Sequence, residues 1–365
     1  MNVVHVIRTL DPKTGGPASV VRGMALAQAA LGHRVTVLYD DDAAEGIEPW
    51  GPVVHHNLAR PSDGRVSLEH WLEREQPDAL HLHGVWCRLV RQAARLAAAR
   101  DLPYVVSPHG ALGGWSMAQK PWKKRLALAL VYRRLLSRAS ALLVSNDNER
   151  ADLERLGLGR NAALVPHGLM PGDVELSSAS RTAQPSVLFL SRLSHVKDPL
   201  LLLDAFEILA RVHAEVRLVV AGPDDGLGAA IASRVEELPA AIRQRVSVPG
   251  PVFGARKYQL LRSSWVLCLP SRHESFGMVL VEALAQATPV VCSSECGFSE
   301  IELVGAGSIA PREAEALAHA LSAYLDLGRS TAAGERGRAL VLERYLWPDI
   351  AREHLRLYTA RIGRP

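Results

Sequence analysis

The chain has 365 residues, 48% of them apolar and 22% charged, with a net charge of +4. That length suits two domains of ~100–200 residues each, and the composition excludes a disordered chain. No apolar run reaches the ~18–20 residues of a membrane span, and four cysteines in so long a chain exclude a disulfide scaffold.

Short β-branched runs alternate with longer Ala/Leu/Arg stretches, the pattern of βαβ units and parallel sheets. The first strand spans Val3–Ile7 without the basic start or cleavage site of a signal peptide. The chain therefore reads as a cytoplasmic protein with reduced thiols. Gly15-Gly16-Pro17 follows as a tight turn, where two glycines let the backbone approach an anion at the next helix's start. That helix covers Ala18–Leu31 and stops at Gly32-His33, ahead of a strand at Val35–Tyr39. Asp40-Asp41-Asp42 reads as a solvated loop and not as a metal site. Further strands fall at Ala79–His83, Tyr104–Ser107 and Ala141–Ser145. His83-Gly84 and His109-Gly110 close two of them, which places imidazoles at the rim of the sheet, His109 being the stronger candidate. His167-Gly168 repeats the pattern beside the domain boundary and reads as a turn.

Positive charge is concentrated early, with 21 Lys+Arg against 16 Asp+Glu in the first 170 residues. Lys120–Arg138 holds seven basic residues and no acid. At ~100° per residue, Lys123, Lys124, Arg134 and Arg138 share one wedge, opposite Leu128, Tyr132, Leu135 and Leu136. A basic, Trp-bearing amphipathic helix suits an anionic membrane surface. Nucleic acid is not expected, because stacking aromatics do not interleave the cations.

Leu176–Pro185 lacks an apolar period and reads as a linker. A second alternation follows at Ser186–Arg192, Val216–Gly222, Arg245–Gly250, Trp265–Pro270 and Pro289–Ser294. The organisation expected is a domain over 1–176, a linker over 177–185, a domain over 186–346 and a last helix over 347–365. Two Rossmann-like, doubly wound α/β domains would face across a cleft, with ligands at the carboxyl ends of the strands.

The chemistry-bearing residues do follow strands. Arg192 and Lys197 lie five residues apart on the loop after the first strand of the second half, and suit a diphosphate. Glu274 and Glu282 bracket Ser275-Phe276-Gly277 and an otherwise apolar helix. On one helix they would stand ~12 Å apart and turned by ~80°, within reach of opposite ends of a nucleoside diphosphate sugar. The Ser275–Gly277 amides would add the positive end of the helix dipole.

With these motifs the sequence resembles the GT-B-fold retaining glycosyltransferases of family 4, the bacterial exopolysaccharide and O-antigen type. The resemblance spans nearly the whole chain. It rests on the E-x7-E pair Glu274 and Glu282, the phosphate loop Arg192 and Lys197, the AGPDD strand end with Gly222, VPGPV with Pro251, and the HLHGVW and PHG segments. It implies that Arg192 and Lys197 neutralise the leaving diphosphate, and that Glu282 holds the ribose hydroxyls. It also implies that Glu274, with the Ser275, Phe276 and Gly277 region, holds the donor sugar, that His109 faces the sugar, and that Gly15 and Gly16 approach the phosphates as the cleft closes. The last helix would cross back to the first domain. No metal or cofactor is implied beyond the nucleotide sugar itself, UDP- ahead of GDP-, with a glycan or lipid-diphosphate acceptor. Two positions depart from the family pattern: Ala287 stands where glycine is usual, and Cys296-Gly297 where a Gly-Gly phosphate loop is usual. A sugar-nucleotide 2-epimerase and a non-catalytic sugar-nucleotide-binding subunit are the alternatives. Donor specificity is expected around Glu274 and near Trp86, Trp115 and Lys120.

Overall fold

Alternating faces of short, apolar strands set the architecture. The structure, a computed structural model, describes residues 1–11, 16–41, 47–59 and 67–360. By its internal contacts the chain divides into two compact units, Met1–Met170 with Trp347–Pro365, and Pro171–Leu346.

The first unit is built on seven parallel strands: β1 (Asn2–Val6), β2 (Arg34–Tyr39), β3 (Val54–Asn57), β4 (Ala79–His83), β5 (Tyr104–Ser107), β6 (Ala141–Val144) and β7 (Ala162–Leu164). Their order is β3-β2-β1-β4-β5-β6-β7. On one face Val4, Val6, Leu80, Leu82, Val106 and Leu142 form a dry core. A period of two sends the intervening residues of β1, β4 and β5 to the other face. There His5 sits beside His81 in register, and His83 beside Ser107. Two helices belong to that polar side, Gly16–Ala30 and the C-terminal Trp347–Thr359, and they pack on each other. Gly23 makes their approach feasible: a Cβ there would lie 2.1 Å from Trp347 Nε1.

The second unit has six parallel strands: β8 (Ser186–Leu190), β9 (Arg217–Ala221), β10 (Val246–Gly250), β11 (Val266–Leu269), β12 (Val290–Ser293) and β13 (Gly307–Ala310). Their order is β10-β9-β8-β11-β12-β13. Every residue of β8, β11 and β12 is buried, as befits strands covered on both faces. Arg181, in the expected linker, is anchored to this unit. Its guanidinium donates to the carbonyls of Ser264, Trp265 and Ala287 and to Ser330 Oγ. Ala287 takes its turn in the left-handed region, at φ 55°.

Strands β3, β7 and β13 escape the sequence reading. Each lies at a sheet edge. The sequences VHHN, AAL and GSIA lack the apolar β-branched run that marks a central strand.

Candidate active site

In the second unit the chain leaves β8 for β9 and β10 on one side, then returns for β11 to β13 on the other. The switch point therefore lies at the carboxyl ends of β8 and β11, where open α/β sheets bind ligands. The Arg192–Lys197 loop follows the first of these strands and the Pro270–Gly277 loop follows the second. The Arg272 amide donates to the Val196 carbonyl at 2.7 Å and joins the two loops. Gly222, at the end of β9, allows its neighbour to approach: a Cβ there would stand 1.8 Å from the Ser191 carbonyl oxygen. Its amide donates to the Gly250 carbonyl at 2.9 Å, and Pro251 follows in an exposed position.

The two cations expected to bind the diphosphate pair with carboxylates. Lys197 pairs with Glu274, both largely buried, and Ser271 Oγ donates to the same carboxylate oxygen at 2.8 Å. Arg192 pairs with Asp225 at 2.6 Å, both half exposed. Glu282 pairs with Lys257 at 2.7 Å. Asp224 accepts from the amides of Gly226, Leu227 and Gly228, which lowers its pKa and satisfies the amides leading into the helix Gly228–Glu237.

One expected geometry is corrected. Glu274 and Glu282 do not share a helix. The helix is Met278–Ala285, with Gly277 as its N-cap at φ 75°. This left-handed residue breaks the chain direction, so Glu274 lies in the preceding turn and the ~12 Å helical spacing does not apply. Ser275 is in that turn. The Phe276 ring is buried against Phe298 and Tyr345. The Cys296-Gly297 loop backs the turn, with the Glu274 amide donating to the Glu295 carbonyl at 3.3 Å.

In the first unit the corresponding switch point lies at β1 and β4. Gly16 opens the following helix, whereas Gly15 lies outside the described residues. His109 lies beyond β5 in the left-handed region, φ 51°, and is half-buried. Glu149 holds this loop: one carboxylate oxygen accepts the Gly110 amide at 2.6 Å, and the other accepts the amide and hydroxyl of Ser145, each at 2.8 Å. Burial pushes the Glu149 pKa up, against the pull of those hydrogen bonds.

His83 is not at the rim. It is buried and bonded through both nitrogens, to His5 and to His109, each at 3.0 Å. Nor is His167 only a turn: it is buried, its ring 5.5 Å from that of His109 and 6.1 Å from Trp347. A period-2 polar pattern in β4 (ALHLH) was the visible signal. Ligand atoms of His5, His81 and His83 lie within 4.8 Å of one another, a spacing a metal ion would accept. All six of their ring nitrogens, however, are engaged by protein partners. The cluster therefore reads as a hydrogen-bonded network, with no lone pair left for an ion.

The basic segment departs from a single helix. It runs as Pro121–Ala127, a π-turn over Leu128–Tyr132, and Arg133–Arg138. Leu128 and Leu136 are buried as expected. Lys124 is not an outward cation, since its Nζ donates to the Ser116 carbonyl at 2.7 Å and to Ser116 Oγ at 3.0 Å. Lys123, Arg134 and Arg138 are exposed. So are Trp122, Leu126 and Leu130, at 66%, 52% and 75%, an apolar set at four-residue spacing. Trp86 is fixed by its indole N–H to the Ala111 carbonyl, 2.9 Å. Among the described residues no helix is long and apolar enough to cross a membrane.

Asp225, Lys257 and Glu149 contact expected site residues or their loop, and Gln28 contacts His5; the motifs do not reveal these pairings. Each acts on a residue distant in sequence, and only the sheet order brings the pairs together.

This architecture is that of a GT-B glycosyltransferase. The family model described as glycosyl transferases group 1 matches residues 176–339, and that of the glycosyl transferase 4-like domain matches residues 15–168. The chain belongs to the family 4 type glycosyltransferases. It is similar to a D-inositol 3-phosphate glycosyltransferase of Xylanimonas cellulosilytica, 32% identical over 77% of this chain and 71% of that one. It is similar to a GDP-mannose-dependent alpha-(1-6)-phosphatidylinositol dimannoside mannosyltransferase of Mycobacterium tuberculosis, 26% identical over 88% and 87%. Its fold matches that of Anabaena Alr3699/HepE in complex with UDP, TM-score 0.76 over 99% and 100% at 19% identity.

Proposed function

We propose that the protein is a retaining, metal-independent hexosyltransferase that moves a sugar from a UDP- or GDP-sugar to a glycan or lipid-linked acceptor in surface polysaccharide or glycolipid synthesis, working at the cytoplasmic face of the membrane. The observation that carries this reading is the pair of cations Arg192 and Lys197 on the loop after β8, at the switch point of the second unit. Fixed positive charge there stabilises the negative charge that develops as a diphosphate leaves. The bond from the sugar's anomeric carbon to the diphosphate oxygen breaks, and the acceptor oxygen bonds to the same face. The acceptor's proton passes to the departing phosphate. Glu282 holds the ribose, Glu274 and the backbone at Phe276 and Gly277 hold the sugar, and His109 meets a sugar hydroxyl. Gly16 and Gly222 permit close backbone approach. The GDP-mannose-dependent relative makes GDP-mannose a donor to test beside UDP-hexoses.

The assay incubates the protein with each donor, a lipid-diphosphate acceptor and a metal chelator. Glycosylated acceptor with unchanged anomeric configuration is expected. Conversion of the donor sugar without acceptor would make the protein an epimerase. Binding without turnover would make it a sensor, and loss of transfer on chelation would refute metal independence.

The exposed Trp122, Leu126 and Leu130, beside Lys123, Arg134 and Arg138, favour an anionic bilayer as the site of work.

A further inference from the structure

Unit one buries a chain of imidazoles that ends at His109. Gln28 Oε1 lies 2.8 Å from His5 Nε2, His5 Nδ1 lies 3.0 Å from His83 Nε2, and His83 Nδ1 lies 3.0 Å from His109 Nε2. At its other end Gln28 Nε2 donates to the Tyr358 hydroxyl at 3.2 Å, and that hydroxyl lies 2.6 Å from His81 Nδ1. We infer that Gln28 acts through His5 and His83 as a positioning residue, holding the proton of His109 on Nε2 and leaving Nδ1 as a bare acceptor for a substrate hydroxyl. The hydroxyl's identity as part of the donor sugar rests on the function proposed above.

The direction of the chain follows from donor and acceptor chemistry. A neutral imidazole has one N–H and one bare nitrogen, so each ring passes its polarity to the next. At 2.6 Å the Tyr358–His81 contact is shorter than the usual N–H···O range, and suits the phenol as donor. The phenol proton is then committed to His81, so the Tyr358 oxygen accepts from Gln28 Nε2. That turns Gln28 Oε1, which only accepts, toward His5. His5 must carry its proton on Nε2 and accept at Nδ1. His83 must donate from Nε2 and accept at Nδ1. His109 donates from Nε2, which leaves Nδ1 bare. Among the described residues no protein group meets that nitrogen.

The rings stay neutral, as the relay requires. Burial lowers the pKa of His5 and of His109 to about 4, and holds His81 and His83 well below the usual value. His354 and His167 face the same cluster and are lowered by burial as well. Among the described residues, the polar and titratable groups that the two covering helices bring to these rings are Gln28, Tyr358 and His354, with the Trp347 indole against His167, and none of them is charged. A neutral His109 with a bare outer nitrogen accepts an O–H and repels a phosphate oxygen. It therefore selects the hydroxyl-bearing sugar and not the diphosphate.

The test reads the proton directly. Long-range proton–nitrogen spectra of the full chain, with isotopically labelled histidine, separate proton-bearing from bare ring nitrogens, and His109→Asn assigns the signals. The expected result is a proton on His109 Nε2; a proton on Nδ1 overturns the inference. Gln28→Leu should give a mixture of the two tautomers. Should that variant fail to fold, Tyr358→Phe, which frees Gln28 to turn over, should do the same. An unchanged spectrum in a folded variant removes Gln28 from the role. Titration then compares a UDP- or GDP-hexose with UDP or GDP alone. Gln28→Leu should weaken the sugar nucleotide about 5-fold, the worth of one hydrogen bond, and leave the free nucleotide unchanged. Equal loss, or no loss, overturns the hydroxyl assignment. If the wild type binds no sugar nucleotide, the donor reading fails with that assignment, while the spectra alone decide the relay.

Discussion

Lys197 and Glu274 form a largely buried ion pair, and removing one member leaves an uncompensated charge. Lys197 also carries the charge assigned to the leaving diphosphate. Lys197→Ala should reduce turnover by more than ~10-fold, as loss of transition-state charge stabilisation does. A wild-type rate in a kinetic assay would remove Lys197 from the site. Glu282→Ala should weaken donor binding in a titration, and unchanged affinity would refute its ribose role. The placement of these residues after β8 and β11 was legible in the sequence from their fixed spacing. Their counterions were not. Asp225 lies 33 residues from Arg192, and Lys257 lies 25 from Glu282. Nothing local marks either pairing. The helical geometry assigned to Glu274 failed because Gly277 turns the chain just before the helix begins.

At the scale of elements, apolar β-branched runs located the central strands, most of which are apolar because both faces are buried, with the histidines of β1 and β4 as exceptions. They found the edge strand β10 but missed the edges β3, β7 and β13, where half-exposed residues satisfy the ladder without an apolar run. The basic segment illustrates the same limit. Its inward leucines were legible, but Lys124 reaches back to Ser116 because of the loop before it. Replacing Lys123, Arg134 and Arg138 with Ser should release the protein from anionic vesicles in a sedimentation assay, with donor binding intact. Retained association would make this segment an ordinary surface. Gly23→Ala places a methyl within the Trp347 indole and should cost ~1–3 kcal/mol by overpacking, read from denaturant unfolding. An unchanged midpoint would show that the C-terminal helix does not depend on this contact.

At the scale of the whole molecule, stability should depend on acidity through the buried imidazoles. His5 and His354 fall from 6.5 to about 4 on folding. The unfolded chain binds protons below pH ~6.5 that the folded chain refuses until pH ~4. Stability from these rings is therefore complete above that window and lost on descending through it. Each ring contributes about 3 kcal/mol across the window. Melting temperature should fall steeply between pH 6.5 and 4.5, and His354→Gln should make the fall shallower; a flat profile would contradict the burial. The two-domain α/β organisation was legible at this scale from the two strand–helix alternations, and the family from Arg192 and Lys197 after β8 and the Glu274–Glu282 pair after β11. The histidine network was not, since its meaning lies in register between β1, β4 and β5.

The central claim is that cations on the loop after β8 take up the charge of a departing diphosphate. The most direct measurement is a crystal structure of the protein with its nucleotide sugar. The diphosphate should lie within hydrogen-bond reach of Arg192 and Lys197, with the ribose hydroxyls at Glu282. A diphosphate bound elsewhere, or those two side chains still directed at carboxylates or solvent with the donor in place, would contradict the account.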